Sequence, residues 1–264
     1  MSYMHIYEKK QKGADLVAGY GEYENDSVTR QFIINENTPF IVSETYGKIR
    51  TNLVTALKAS GNKSFVITSQ CRGEGKTTTA INLSIMLSRL EKRVLLIDGD
   101  LRRSGVDSML RLKNRLGLSN ILLGECDIYD GINIDVRKDF HVITSGPLPA
   151  NPADLIGNGN FDRLLGLLRD YYDYIVIDTP PLCIANDALS CGARTAGAAL
   201  IVRENKTTHN DIKNALSAIS LSGTPLLGVI KTHCYIKYDK SSDYKSAILE
   251  NAADPDEDFE SDDI

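Results

Sequence analysis

The sequence has no C-x-x-C pair among its five cysteines and no histidine at zinc-ligand spacing from them, which argues against a metal knuckle or a disulfide framework. Cys71, Cys126, Cys183, Cys191 and Cys234 are scattered, and the odd count fits a reducing cytoplasm. No apolar run approaches the ~20 residues that span a bilayer, and the N-terminus carries no secretory pattern. Any membrane association is therefore expected to come through a partner. Positive charge is not in excess either: 30 Lys and Arg against 35 Asp and Glu leave a net charge of −5, which disfavours non-specific binding to nucleic acid. What is present, 264 residues with 42% hydrophobic content, suffices for one sizeable α/β core with tails.

Within that core one segment announces chemistry. Phe65-Val66-Ile67-Thr68-Ser69 reads as a buried strand, Gln70-Cys71-Arg72-Gly73-Glu74-Gly75 as a tight loop, and Lys76-Thr77-Thr78-Thr79 as the first turn of a helix that continues through Ala80–Leu87. Glycines 73 and 75 let backbone amides close around phosphate oxygens, with Glu74 and Thr78 in the same cradle. Lys76 reaches the β- and γ-phosphates, and the Thr77 hydroxyl is placed to hold Mg²⁺. The pattern is a deviant Walker A, because Gln70 stands where G-x-x-x-x-G-K-[ST] asks for glycine. The flanking strand and helix carry the reading, and the chain is expected to bind a nucleoside triphosphate.

The rest of the chain divides around this loop. Residues 1–38 are polar, rich in Tyr, Glu and Lys, and read as a flexible or loosely attached leader. Residues 39–233 form the nucleotide-binding domain, and 234–264 a tyrosine-bearing tail ending in a segment with eight acidic and no basic residues from Glu250 onward, expected to be solvated and disordered. Ser43–Leu57 reads as a helix, with Ser43 as a possible cap and Tyr46, Ile49, Leu53 and Leu57 on one stripe. Strands near 64–69, 93–98, 140–144, 173–178, 198–203 and 226–231 alternate with helices near 76–90, 152–171 and 207–221. That alternation predicts an α/β fold with a mainly parallel central sheet and helices on both faces, of the P-loop NTPase kind, with ligands at the carboxyl ends of the strands.

Three carboxylates fall at such ends. Arg93-Val94-Leu95-Leu96-Ile97 runs into Asp98-Gly99-Asp100-Leu101-Arg102-Arg103, and Tyr174-Ile175-Val176-Ile177 into Asp178-Thr179-Pro180-Pro181. Mg²⁺ between two phosphates takes a hydroxyl, phosphate oxygens and waters held by carboxylates. Thr77, Asp178 and one of Asp98 and Asp100 can supply the protein's share, leaving the other aspartate to orient or deprotonate an attacking hydroxyl. Arg102 and Arg103 are open between offsetting phosphate charge, solvation and a subunit contact.

The Asp98-Gly99-Asp100-Leu101-Arg102-Arg103 strand end beside a phosphate loop resembles the bacterial tyrosine kinases that regulate capsule and exopolysaccharide synthesis. Ile177–Pro181, Gly146-Pro147-Leu148-Pro149-Ala150-Asn151-Pro152 and Arg50-Thr51-Asn52-Leu53 extend the resemblance from about Ser43 to His233. It implies ATP and Mg²⁺ as cofactors, with Lys76 stabilising the phosphoryl group in transfer. Asp98 would be the base, supported by Asp100, and Thr77, Asp98 and Asp178 would lie around the metal. It implies autophosphorylation in trans, for which Tyr235, Tyr238 and Tyr244 are the acceptor candidates. It implies as partners a second copy of the chain in an oligomer, a membrane-embedded polysaccharide co-polymerase adaptor as activator, and a cognate phosphotyrosine phosphatase. The location implied is cytoplasmic, recruited to the inner face of the membrane by the adaptor. In the family's Glu-x-x-Arg-x-x-Arg oligomerisation pattern Glu44 and Arg50 match, while Gly47 holds the middle position.

Two other readings stand beside the kinase. A partitioning or positioning ATPase would use the same loop as a dimerisation switch, but usually carries an extra lysine where this chain has Cys71, and the acidic tail is no basic membrane helix. A catalytically weak scaffold that binds nucleotide only to report assembly would fit Gly47.

Overall fold

The computed structural model describes residues 3–7 and 32–234. Among the described residues eight strands form a single sheet in the order β1-β8-β7-β2-β6-β3-β5-β4. They are β1 (Tyr3–Tyr7), β2 (Ser64–Ser69), β3 (Val94–Asp98), β4 (Ile132–Arg137), β5 (Phe140–Ile143), β6 (Tyr174–Asp178), β7 (Ala198–Arg203) and β8 (Leu226–Cys234). Every neighbouring pair is parallel except β4 with β5. The helices are α1 (Phe40–Ser60), α2 (Lys76–Ser88), α3 (Val106–Leu110), α4 (Leu118–Leu123), α5 (Ile128–Gly131), α6 (Pro152–Gly157), α7 (Gly159–Tyr171), α8 (Asp187–Gly192) and α9 (His209–Leu221).

The central strands are apolar throughout because both sheet faces are covered, and alternate side chains feed two cores. Phe65, Ile67, Val94 and Leu96 pack with Leu53 and Leu83 on the α1–α2 side, whereas Val66, Leu95 and Ile97 pack with Phe161, Leu164 and Leu168 of α7 on the other. The stripe Tyr46, Ile49, Leu53 and Leu57 is buried as expected. Ser43 does not cap that helix: it starts at Phe40, after Pro39, whose ring fixes the backbone dihedral at −53° before the first turn. The helix expected at 152–171 breaks at Asn158, whose side chain accepts the Asn160 N–H at 3.0 Å and caps α7.

A loosely attached 1–38 leader does not describe the parts of that segment seen here. Tyr3–Tyr7 pairs parallel with β8, Tyr3 opposite Val229 and His5 opposite Lys231. Ile33 and Ile34 are buried in the core. Asn82 of α2 accepts the Ile34 N–H and donates to Phe32 O, both at 2.9 Å, and Arg137 donates to Ile34 O at 2.8 Å. The reason lies in α2, buried along nearly its whole length, which needs cover on the side α1 leaves open. β4 lies outside the expected strands, although Ile132, Ile134 and Val136 alternate with polar residues. Residues 235–264, with Tyr235, Tyr238, Tyr244 and the acidic segment, lie outside the described residues.

One close approach matters for the site. Gly99 N–H donates to Asp178 O at 2.7 Å, and a Cβ at position 99 would stand 2.8 Å from that oxygen and 3.2 Å from Ile177 Cγ2. Gly99→Ala is expected to destabilise the protein by about 1–3 kcal/mol, because backbone rather than a pliable side chain must move. A urea-unfolding midpoint unchanged from the parent would contradict this.

Candidate active site

Strand order brings the three motifs together. β6 lies between β2 and β3, so the phosphate loop after β2, Asp178 ending β6 and Asp98 ending β3 emerge side by side at the carboxyl edge. Asp98 and Asp178 are direct register partners. Thr77, in the first turn of α2, donates its hydroxyl to Asp178 Oδ2 at 2.6 Å. The other oxygen, Oδ1, is the one buried side-chain polar atom among the described residues without a hydrogen-bond partner.

The loop takes its shape from sequence and from distant contacts. Gly75 sits at φ +89°, a left-handed conformation that opens α2 and disfavours any side chain. Lys76, Thr78 and Thr79 follow, buried at the mouth of the sheet. Glu74 is fully buried, and its carboxylate turns inward: it accepts the Cys71 N–H at 2.8 Å and the Thr207 hydroxyl. Its side chain is thus a brace, and any contact with phosphate falls to its main chain. Thr232 of β8 donates to Glu74 O at 2.8 Å, Arg203 to Gly73 O at 2.7 Å and Lys206 to Arg72 O at 2.8 Å. No local pattern marks the braces from Thr232, Arg203 and Lys206, which lie 130 or more residues along the chain from the loop.

The carboxylates differ in role. Asp98 Oδ1 accepts the Asp100 N–H at 3.1 Å, while Oδ2 accepts Ser104 Oγ at 3.1 Å and the Gly105 and Val106 N–H groups at 3.2 Å each. It holds the turn into α3, which puts Gly105 against Thr77. Asp100 accepts the Arg102 and Arg103 N–H groups at 3.3 and 3.0 Å and is only half-buried, so it is the more open of the two. Arg102 pairs with buried Asp187 at the start of α8, tying the β3 loop to the β6 loop. That answers the question left open for its side chain, and Asp187 is a site residue that sequence reasoning missed.

Burial, and then the facing Asp178, push the Asp98 carboxyl up to about 8 despite the Gly105 and Val106 N–H groups, which oppose the rise. Burial likewise raises Asp178, against the opposing pull of Lys76 and the Thr77 hydroxyl. Asp100 is also raised, chiefly by burial. The nucleotide-free fold therefore retains a proton on Asp98 that the unfolded chain, with an ordinary value of 3.8, releases. This contribution to stability is fully present below the ordinary value and is lost as pH rises through about 8. The Asp98→Asn variant is expected to gain stability relative to the parent as pH rises across that window, read from urea midpoints. A constant difference would exclude the shift.

Residues Thr77 and Asp178 fit a hard divalent cation. A hydroxyl, an unpartnered carboxylate oxygen and a neighbouring ammonium are what a Mg·phosphate group uses. No group of three or more His, Cys, Asp and Glu side chains converges on a metal position among the described residues. A cation here would therefore take most of its ligands from water and phosphate.

A family model described as an AAA domain matches residues 62–219. The tyrosine-protein kinase YwqD of Bacillus subtilis is 37% identical over 202 residues, 76% of this chain and 84% of that protein. The tyrosine-protein kinase CpsD of Streptococcus pneumoniae is 34% identical over 71% of this chain and 84% of its own length. The solved kinase domain of the Escherichia coli tyrosine kinase ETK superposes with a TM-score of 0.72 at 26% identity, covering 80% of this chain and 86% of that one. A plasmid partition protein of Borrelia burgdorferi matches with a TM-score of 0.54 at 24% identity, a likeness of fold alone. Among the described residues no helix is long and apolar enough to cross a membrane. With the paired strand-end aspartates beside the phosphate loop, these likenesses make the chain an enzyme and a member of the bacterial tyrosine-protein kinases.

Proposed function

We propose that the chain transfers the γ-phosphoryl group of ATP to tyrosines of a second copy of itself, with Tyr235, Tyr238 and Tyr244 as acceptors, and thereby regulates capsular or exopolysaccharide synthesis and export. The observation that carries this reading is the Thr77–Asp178 pair with its unpartnered carboxylate oxygen, register-matched to Asp98. Gly73, Gly75 and the main chain of Glu74 enclose the phosphates, with Lys76, Thr77 and Thr78 at the helix start. Thr77 and Asp178 would hold Mg²⁺, which would supply positive charge to offset that of the phosphates. Asp98 sits behind this pair, engaged by four hydrogen-bond donors, so a metal role for it is indirect.

Asp98 and Asp100 serve the acceptor. Only the ionised form of Asp98 can take the proton from a phenol as its oxygen attacks phosphorus, and burial, which raises its carboxyl, makes that form the stronger base. The tyrosine O–H bond breaks, an O–P bond forms, and ADP leaves. Lys76 stabilises the charge on the transferring group. The family resemblance adds a membrane-embedded co-polymerase adaptor as activator and as the route to the inner face of the membrane. It also adds an oligomer of the chain and a phosphatase that removes the phosphates.

The test is incubation with Mg·ATP, with and without the cytoplasmic tail of the adaptor, followed by mass-spectrometric mapping of phosphotyrosine. Label on Tyr235, Tyr238 or Tyr244 is expected, increased by the adaptor tail. ATP-stimulated dimerisation with phosphate release and no phosphotyrosine would instead identify a positioning-type ATPase.

A further inference from the structure

The exits of β2 and β6 are joined where the phosphate loop begins. Leu182 N–H donates to Ser69 O at 2.8 Å and Cys183 N–H to Gln70 O at 3.1 Å, which brings Cys183 beside Cys71. Cys183 is exposed and Cys71 half-buried, and the Cys183 thiol is near enough to act on the titration of Cys71. The main chain of Cys71 belongs to the loop's own scaffold: its N–H binds Glu74 at 2.8 Å, and its carbonyl accepts the Ser69 hydroxyl at 2.7 Å.

We propose that Cys71 and Cys183 are a modification site, closing into a reversible disulfide that deforms the phosphate loop and weakens nucleotide binding. A disulfide requires neighbouring backbones and a bond of about 2.05 Å, much shorter than a contact between thiols. The backbone ladder supplies the neighbourhood. Closing the remaining gap pulls Cys71 against the Glu74 and Ser69 hydrogen bonds that set the loop.

The oxidant is a low-molecular-weight disulfide. Exposed Cys183, as thiolate, attacks one sulfur of that disulfide, expelling a small thiol and leaving a mixed disulfide. Cys71 then gives its proton to solvent and attacks Cys183 Sγ, releasing the second small thiol. Two protein thiols lose two electrons and the small disulfide gains them. Burial, with the Glu74 carboxylate nearby, pushes the Cys71 thiol up to about 11. The exposure of Cys183 makes it the entry point, and the raised Cys71 thiol makes ring closure the slow step.

The inference rests on the loop being the nucleotide site. Full-length protein is held in oxidised glutathione or in dithiothreitol, mapped by non-reducing peptide mass spectrometry, and titrated with a fluorescent ATP analogue. A cross-linked Cys71–Cys183 peptide is expected with at least a tenfold loss of affinity that dithiothreitol reverses. Cys183→Ser and Cys183→Ala are expected to bind as the reduced parent does, with or without oxidant. Absence of that cross-link after oxidation, or its presence with unchanged affinity, overturns the inference while leaving the kinase reading intact. A reduced parent that binds no nucleotide overturns both.

Discussion

Lys76→Met is expected to lower tyrosine phosphorylation by on the order of 10³-fold, the loss that accompanies removal of one preorganised charge from a transferring group. Lys76 is 9% exposed at the first position of α2, and its ammonium acts on both Asp178 and Asp100. Methionine has similar length and packs against the same walls, so the fold survives while the cation is lost. Two readouts separate this from general damage. The thermal midpoint should stay within a few degrees of the parent, and the residual rate should not recover at saturating ATP. A rate within tenfold of the parent in a folded variant would remove Lys76 from the chemistry.

The second large effect has opposite signs in activity and stability. Asp178→Asn preserves shape and an acceptor for the Thr77 hydroxyl, yet removes the charge proposed to hold Mg²⁺. A metal contact supplies several kcal/mol of transition-state stabilisation, so the rate is expected to fall by at least about 10²-fold, with partial recovery at high Mg²⁺. The nucleotide-free protein should meanwhile become more stable, because burial and the neighbouring Asp100 make that carboxylate costly in the absence of its ligand. A gain of about 1 kcal/mol raises the melting temperature by about 2–4 °C in a chain of this size. Calorimetry without nucleotide beside a magnesium titration of the rate reads both. A variant less stable and fully active would refute the assignment.

The same contrast, a site built at some expense to the empty fold, runs through the loop above it. Glu74 is buried and oriented by Thr207, while Arg203 and Lys206 occupy carbonyls of Gly73 and Arg72. The loop after β7 thus presets the phosphate loop before any nucleotide arrives. Preorganisation of this kind reduces the ordering cost of binding.

Much of this was legible in the chain itself. Buried apolar runs ending in Asp98 and Asp178 mark β3 and β6, and the Gly73–Thr77 loop marks the turn between β2 and α2. Local sequence sets these because backbone conformation and the alternation of faces depend on near neighbours. Membership of the parallel sheet followed for the same reason. Tertiary structure decided the rest. Only strand order puts β6 between β2 and β3, makes Asp98 the partner of Asp178 and leaves Oδ1 of Asp178 without a hydrogen bond. Only packing recruits Ile33 and Ile34 to cover α2, turns Glu74 inward and sets Cys183 beside Cys71. Periodicity records which way a side chain faces and says nothing of which strand lies next to it. That choice is made by crossovers and burial spanning a hundred residues or more.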